Sequence, residues 1–204
     1  MRYYCGIDPS FKRMGLCWWP VDNYGDLQGN LLFDYSSMGT RNFVAKSWGF
    51  VRGLRDFKPI EEVVIEAPLP QSYIAGWAWS FFSILLTQVN RPCNALNPAK
   101  LKSFVGKRSP SGTFLVNLAL DVKKALEVEF EFSNRFSSVD LSRRHKIVHD
   151  EAEAFLLLVL WMWKKDKLWP EGKIAIQKLF DTGRLKNTAC LKEDDIFDEY
   201  QFLD

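Results

Sequence analysis

Four acidic side chains stand at positions in this sequence from which a metal site could be built. Asp8 and Glu66 each end an apolar stretch. An acid at the end of a hydrophobic strand lies at the rim of a sheet, where open α/β sheets place their sites. Asp150 and Glu153 open an apolar helix and, at a spacing of i and i+3, project from one helical face. We therefore expect the four carboxylates to converge.

A cluster of four carboxylates implies bound cations. The negative charges repel one another strongly unless cations neutralise them, and oxygen ligands suit Mg²⁺ or Mn²⁺. Two such ions about 4 Å apart activate a water and stabilise the leaving 3′ oxygen in phosphodiester hydrolysis. The sequence offers no Ser-His-Asp or Cys-His arrangement, and its two histidines are too few for a His-based zinc site. It has no G-x-x-x-x-G-K-[ST] loop for nucleotide hydrolysis either.

Each acid alone also has an ordinary structural explanation. An Asp after a strand is usually a turn residue that makes local hydrogen bonds, and acids at the start of a helix favour its macrodipole. Glu66 is less easily explained in this way, because Glu is a poor turn former. The four positions together, in this order along a strand and helix pattern, favour a site.

The elements that must hold these acids follow from apolar periodicity and turn residues. The predicted strands are Arg2–Ile7, Gly15–Val21, Asn30–Ser37, Glu62–Ile65 and Asn94–Leu96. The predicted helices are Asn42–Phe57, Gln71–Val89, one starting at Asn97-Pro98, Phe114–Glu129, Asp150–Lys165 and a weakly amphipathic one at Lys173–Phe180. The segment Ser133–Ile147 is basic and predicted to be irregular. Because the first three strands are neighbours with short turns, we expect an antiparallel meander of three strands, joined by parallel strands in a mixed five-stranded sheet flanked by helices, an α/β fold.

Composition and charge favour an intracellular protein with a polyanionic partner. The net charge of +2 hides an asymmetry: Glu193–Asp204 holds six acids and no Lys or Arg, so the rest of the chain has 27 basic against 19 acidic residues, or about +8. A basic body suits a polyanion, although a solvated surface would also explain it. The four cysteines form no C-x-x-C pair and the longest apolar run is too short to cross a bilayer, and we expect no signal peptide before the first strand. We expect a reduced, intracellular location.

Four short motifs resemble the RuvC family of Holliday junction resolvases. They are Gly6-Ile7-Asp8-Pro9-Ser10 with Gly15 beginning the next strand, Val64-Ile65-Glu66, Asn97-Pro98-Ala99-Lys100-Leu101-Lys102 followed by Gly106-Lys107-Arg108, and Asp150-Glu151-Ala152-Glu153-Ala154. Their order and spacing agree with that family from about residue 3 to residue 160. The resemblance implies an RNase H-like core, a homodimer, two Mg²⁺ or Mn²⁺ ions per site held by the four acids, and symmetric nicking of four-way DNA junctions.

The match to that family is incomplete at the site. Glu153 stands where the family usually has Asp, and Ser10 where it usually has Gly. The family's second loop lysine has no clear counterpart, and Lys107 or Arg108 could substitute for it. By the analogy, a lysine neutralises charge near the scissile phosphate, and we expect Lys100 and Lys107 in this catalytic role.

Several basic residues and one aromatic residue are candidates for DNA contact, since basic side chains bind phosphates and aromatic rings stack on unpaired bases. The candidates are Lys100, Lys102, Lys107, Arg108, Arg143, Arg144, Lys146 and Tyr73. A solvated loop would equally explain Arg143–Lys146, and the apolar helix that contains Tyr73 suits a core or dimer contact better. His149 shares a helical face with Glu153 and could orient a water or phosphate, or cap or pack at the helix start.

The leading hypothesis is a structure-selective DNA endonuclease that resolves Holliday junctions or related branched DNA. Its nuclease domain would span residues 1–168, and residues 169–204 would form a C-terminal extension with an acidic tail that mimics DNA, binds a partner or is disordered. Two alternatives stay open. One is another RNase H-like nuclease, acting on RNA–DNA hybrids or as an exonuclease; the other is a non-catalytic branched-DNA-binding module, for which Ser10 and Glu153 are the hints.

Overall fold

The fold is seen in a computed structural model that describes residues 2–9, 13–22, 29–34, 59–66, 93–107, 110–128, 141–186 and 196–197. For residues 9, 13–14, 29–34, 93, 141–148 and 196–197 the backbone alone is described. The predicted helices Asn42–Phe57 and Gln71–Val89 lie outside the described residues, as do Ser10, Tyr73 and Arg108. Within the described part of the chain, no helix has both the length and the apolar character needed to cross a membrane.

The described strands form one mixed sheet. They are β1 (Tyr3–Pro9), β2 (Arg13–Pro20), β3 (Gly29–Asp34), β4 (Ile60–Glu66), β5 (Cys93–Leu96) and β6 (Ile196–Phe197). Their order is β3-β2-β1-β4-β5-β6: the first three strands form an antiparallel meander, β4 and β5 run parallel to β1, and β6 pairs antiparallel with β5. The predicted mixed sheet is confirmed. The predicted count of five strands is wrong, because two residues of the C-terminal tail add a sixth.

Four described helices accompany the sheet. They are α1 (Pro98–Val105), α2 (Gly112–Ala125), α3 (Leu141–Lys164) and α4 (Pro170–Asp181). The side chain of Asn97 accepts a hydrogen bond from the N–H of Ala99, and that of Ser111 accepts one from the N–H of Phe114. Each cap satisfies a backbone donor that the first helical turn leaves open, so the helix start predicted at Asn97 is confirmed.

Helix α3 begins well before the acids, at Leu141. The irregular segment predicted over Ser133–Ile147 is therefore wrong from Leu141 onward, and the basic run Arg143–Lys146 lies on a helix rather than in a loop. Polar side chains in this stretch provide no apolar period from which a helix could be predicted. Once the buried part of α3 has formed, further residues extend it without a new nucleation cost, and Leu, Arg and Lys are good helix formers.

The core lies between the sheet and α3, which packs across β1 and β2. Every residue from Ala154 to Met162 is buried, so the middle of this helix is covered on several sides. Two aromatic pairs join it to the sheet. Tyr4 meets Trp161 edge-on with ring centroids 5.1 Å apart, and Trp19 stacks on Phe155 at 6.2 Å.

Helix α4 packs on the same core, although the sequence resemblance ends before it. Phe180 contacts Phe104 of α1 at 5.9 Å and Trp163 of α3 at 5.3 Å between ring centroids. The N–H of Lys186 donates to the carbonyl oxygen of Phe104, which ties the segment after α4 to the end of α1. The predicted domain boundary after residue 168 stays a prediction, and the packing shows that residues beyond it help to hold α1.

Candidate metal centre

Two of the four predicted acids lie side by side at one edge of the sheet. Strands β1 and β4 are parallel and in register at Ile7 and Ile65, so the next residues, Asp8 and Glu66, stand at the carboxyl ends of neighbouring strands. The side chain of Asp8 is buried, and its carboxyl group is hydrogen-bonded to that of Glu66. A hydrogen bond between two carboxyl groups needs a proton on one of them, so this pair shares a proton when no cation is bound.

The other two acids reach this edge because α3 rests directly on the backbone of the sheet. Gly15 pairs with Asp8 across β1 and β2, and a Cβ atom at Gly15 would overlap the carbonyl oxygen of Asp150. A Cβ atom at Gly6 would lie 2.6 Å from another carbonyl oxygen of α3. Only glycine allows backbones to approach so closely. The approach brings Asp150, and Glu153 one turn later, to the edge that carries Asp8.

Burial and mutual repulsion raise the pKa values of three of these carboxyl groups. The pKa of Asp8 lies well above its ordinary 3.8, because burial removes the carboxylate from water and because the other three acids repel it, Glu153 most strongly. Burial and then Glu153 raise the pKa of Glu66 from 4.5 to about 7. The pKa of Glu153 is raised by burial and by Asp150, against the lowering effects of a hydrogen bond from Asp8 and of the nearby His149. These mutual effects place all four acids in one electrostatic cluster.

The cluster fits a divalent-cation site. Burial and mutual repulsion raise the pKa of three of its carboxyl groups, that of Glu66 to about 7, and a hard cation with oxygen ligands would take the place of the protons that these groups retain. The groups that would hold Mg²⁺ or Mn²⁺ are Asp8, Glu66, Asp150 and Glu153. The structure thus brings together all four residues selected from the sequence, and their role as metal ligands stays a prediction.

One lysine of helix α1 acts on this cluster. The charge of Lys102 lowers the pKa of both Glu66 and Glu153, and its side chain is exposed to solvent. Lys107 instead holds its Nζ atom 3.9 Å from the centroid of a phenylalanine ring in α2, and Lys100 is half-buried on α1. The catalytic roles predicted for Lys100 and Lys107 stay predictions, and Lys102 is a lysine whose charge reaches two of the acids.

The sequence does contain a signal that separates the two lysines of α1. Asn97 as N-cap fixes where the helix begins, and Leu101 and Phe104 mark its buried face. At 3.6 residues per turn, Lys100 and Lys102 lie about 200° apart around the helix axis. Only one of them can therefore share a side of α1 with the acids.

His149 stands beside the acids on α3. Its Nε2 atom lies 3.0 Å from Oδ1 of Asp150, and one ligand atom from each of His149, Asp150 and Glu153 lies within 4.8 Å of the others. The β-carbon and ring of His149 pack against Gly112, where a Cβ atom would approach them to 3.1 Å. The interpretation of His149 as a helix cap is wrong, because α3 begins at Leu141, eight residues earlier.

The remaining predicted DNA contacts are placed only in part. The backbones of Arg143, Arg144 and Lys146 lie on the first turns of α3, whereas Arg108 and Tyr73 are outside the described residues. Helical periodicity puts position 143 about 20° from position 150, and position 146 about 20° from position 153. Position 144 lies about 120° from position 150. Two of the three basic positions thus share a side of α3 with its acids.

Solved structures of a bacterial protein share this architecture. The Thermus thermophilus RuvC structure has a TM-score of 0.53 at 18% sequence identity, over 81% of this chain and 97% of that chain. The chain has a RuvC-like fold. T. thermophilus RuvC in complex with Holliday junction substrate gives a TM-score of 0.52 at 19% identity, over 81% of this chain and 96% of that chain. No family model and no curated protein matches the sequence, so the confirmed likeness to RuvC is one of fold.

Proposed function

We propose that this protein is a metal-dependent endonuclease that resolves Holliday junctions or related branched DNA. The observation that carries the proposal is the cluster of four acids at the carboxyl ends of β1 and β4, on a RuvC-like fold. One of the similar RuvC structures is a complex with Holliday junction substrate, which supports the choice of branched DNA. The charge of about +8 outside the acidic tail supports a polyanionic substrate.

In this proposal the four acids hold two Mg²⁺ or Mn²⁺ ions. When bound, such ions activate a water and stabilise the leaving 3′ oxygen of the phosphodiester. The protein positions its ligands before substrate arrives: Asp8 and Glu66 are fixed on a sheet edge, and Asp150 and Glu153 on a helix seated against glycine. Lys102 would offset negative charge of the cluster and of an incoming phosphate, which is most effective in a site that is already organised.

The first turns of α3 would bind the phosphate backbone of the DNA next to the acids. From Leu141 to Asp150 the helix advances about 13 Å at 1.5 Å per residue. Arg143 and Lys146 occupy positions on the side that bears the acids, so phosphate contacts there would fix the register of a strand without reading its sequence. The first turns of α3 thus add basic residues beside the site, which the family motifs alone do not predict.

A homodimer belongs to the proposal, because symmetric nicking of a four-way junction needs two active sites. The helix predicted as a core or dimer contact, Gln71–Val89, lies outside the described residues. Light scattering coupled to size-exclusion chromatography measures the mass in solution. We expect twice the chain mass of 23.7 kDa, and a monomer at assay concentration would contradict this part of the proposal.

A comparison of substrates tests the proposal. Purified protein is incubated with a four-way DNA junction, a linear duplex of the same arm sequence and an RNA–DNA hybrid, each with Mg²⁺, Mn²⁺ or EDTA. We expect paired, metal-dependent nicks near the junction centre and little cutting of the other two. Equal cutting of the linear duplex, or cutting of the hybrid alone, would contradict the proposal in favour of another RNase H-like nuclease. Junction binding without cleavage in either metal would favour a non-catalytic module.

A further inference from the structure

A nitrogen donor lies next to the carboxylates of α3. His149 Nε2 is 3.0 Å from Asp150 Oδ1, and the ligand atoms of His149, Asp150 and Glu153 fall within 4.8 Å of one another. Two ligands at right angles on one octahedral ion, each at about 2.1 Å, lie about 3.0 Å apart. The observed separation of the nitrogen and the oxygen therefore matches one edge of an octahedral site, and the third donor is close enough to join it after a small side-chain movement.

We propose that His149 is a metal ligand together with Asp150 and Glu153, and that it makes this site prefer first-row transition ions such as Mn²⁺ over Mg²⁺. First-row transition ions gain affinity from imidazole nitrogen, Mn²⁺ the least among them, whereas Mg²⁺ is held by oxygen and gives up its water reluctantly. The inference rests on the proposed function only in requiring that these two acids bind a cation. It changes the ligand set, since the four acids selected from the sequence offer oxygen alone.

His149 is packed on one side against the start of α2. Three atoms of His149, its Cβ, Cγ and Nδ1, pack against Gly112 at the start of α2. A Cβ atom added to Gly112 would approach them to 3.1–3.2 Å. The opposite ring nitrogen, Nε2, is the atom directed at Asp150. His149 also lowers the pKa of Glu153, so its ring lies near both acids of α3. A side chain that is already packed on one side loses less conformational entropy when it binds a metal.

A competing role for His149 is a hydrogen bond that merely orients Asp150. The two roles predict different metal dependence. Loss of a nitrogen ligand lowers the affinity for Mn²⁺ far more than the affinity for Mg²⁺, because only the transition ion gains from nitrogen. Loss of an orienting group displaces an oxygen ligand that both ions need, and so lowers the two affinities together.

Metal titrations without DNA distinguish these roles. Metal-free wild type, His149→Ala and His145→Ala are titrated with Mn²⁺ and with Mg²⁺, and binding is followed by calorimetry. His145 is the other of the two histidines in the sequence and lies one turn earlier on α3, so it is a matched control. We expect His149→Ala to lower Mn²⁺ affinity about tenfold or more and to leave Mg²⁺ affinity nearly unchanged, while His145→Ala changes neither.

Pulsed electron paramagnetic resonance of Mn²⁺ bound to the wild type adds a test that needs no variant to fold. We expect a hyperfine coupling from a directly bound nitrogen, which changes when histidine is labelled with the heavier nitrogen isotope and disappears in His149→Ala. Absence of this coupling in the wild type, or an equal loss of both metal affinities in His149→Ala, overturns the inference. Mn²⁺ bound through oxygen alone, with junction cleavage intact, overturns it and leaves the proposed function standing. A wild type that binds neither ion overturns both.

Discussion

Replacing Glu66 by Gln is expected to stabilise the metal-free protein above neutral pH while removing its metal-dependent activity. Glu66 stands in a cluster of acids, and its pKa rises from 4.5 to about 7 through burial and through the charge of Glu153. The folded protein therefore holds a proton on Glu66 that the unfolded chain releases at lower pH. Gln has nearly the same shape and no charge, so the substitution removes this repulsion at every pH.

The size of the expected change in the free energy of unfolding follows from the shift of the Glu66 pKa. Because the folded state binds the proton more tightly, ionisation of Glu66 costs no stability below pH 4.5, and the cost grows until the pH passes about 7. At about 1.4 kcal/mol for each pH unit, the difference between the two pKa values corresponds to about 3 kcal/mol. We expect the metal-free wild type to lose free energy of unfolding of this order as the pH rises through this window, and Glu66→Gln to lose correspondingly less.

Urea unfolding in EDTA between about pH 5 and pH 8 measures this difference. The matched control is Glu61→Gln, at the other end of β4, where Glu61 forms an exposed ion pair with Arg2 at 3.0 Å. Such a pair contributes at most about 1 kcal/mol, and its loss should be small. Added Mg²⁺ should stabilise the wild type and Glu61→Gln but hardly affect Glu66→Gln, which should bind junctions without cutting them. If Glu66→Gln is no more stable than the wild type near pH 8 in EDTA, the four acids do not repel one another in the folded protein.

Three further predictions concern the elements around the acids. Gly15→Ala should destabilise the protein by about 1–3 kcal/mol or more and weaken metal binding, since the added methyl group overlaps a carbonyl oxygen of α3; normal unfolding and Mg²⁺ titration curves would contradict that contact. Lys102→Gln should slow junction cleavage at saturating Mg²⁺ by at least about tenfold and Lys100→Gln much less, and equal losses would remove the distinction between them. Arg143→Gln should weaken junction binding and lower the slope of log affinity against log salt concentration by roughly one, whereas Arg144→Gln should change both less.

The two strand acids could be predicted from the sequence because each ends a strand whose direction is fixed by its neighbours. Asp8 lies near the end of a strand that pairs antiparallel with the next one, and Glu66 is the last residue of a short apolar strand that runs parallel to the first. The carboxyl ends of parallel neighbours meet at one edge, so identifying the strands was sufficient to bring these two side chains together. The mixed sheet could be predicted for the same reason, since alternating and apolar runs carry its strands.

The sequence pattern predicts other features less well than the two strand acids. These features are the start of α3, the sixth strand and the role of Lys102. Residues 141–149 have no apolar period in the sequence, so the part of α3 before Asp150 carries no pattern from which a helix could be predicted. Strand β6 is two residues long and owes its existence to pairing with β5, a contact between distant parts of the chain. Lys102 differs from Lys100 only in the phase of α1, which depends on the capped start at Asn97.

Glu153 shows why a departure from a family motif has to be judged on the structure. Its longer side chain reaches back to hydrogen-bond Asp8, and among the charged neighbours it contributes most to the raised pKa values of both Asp8 and Glu66. A shorter acid at the same helical position would have one methylene group less with which to reach Asp8. Glu153 thus belongs to the same electrostatic cluster as the other three acids, which weighs against interpreting it as a hint of a decayed site.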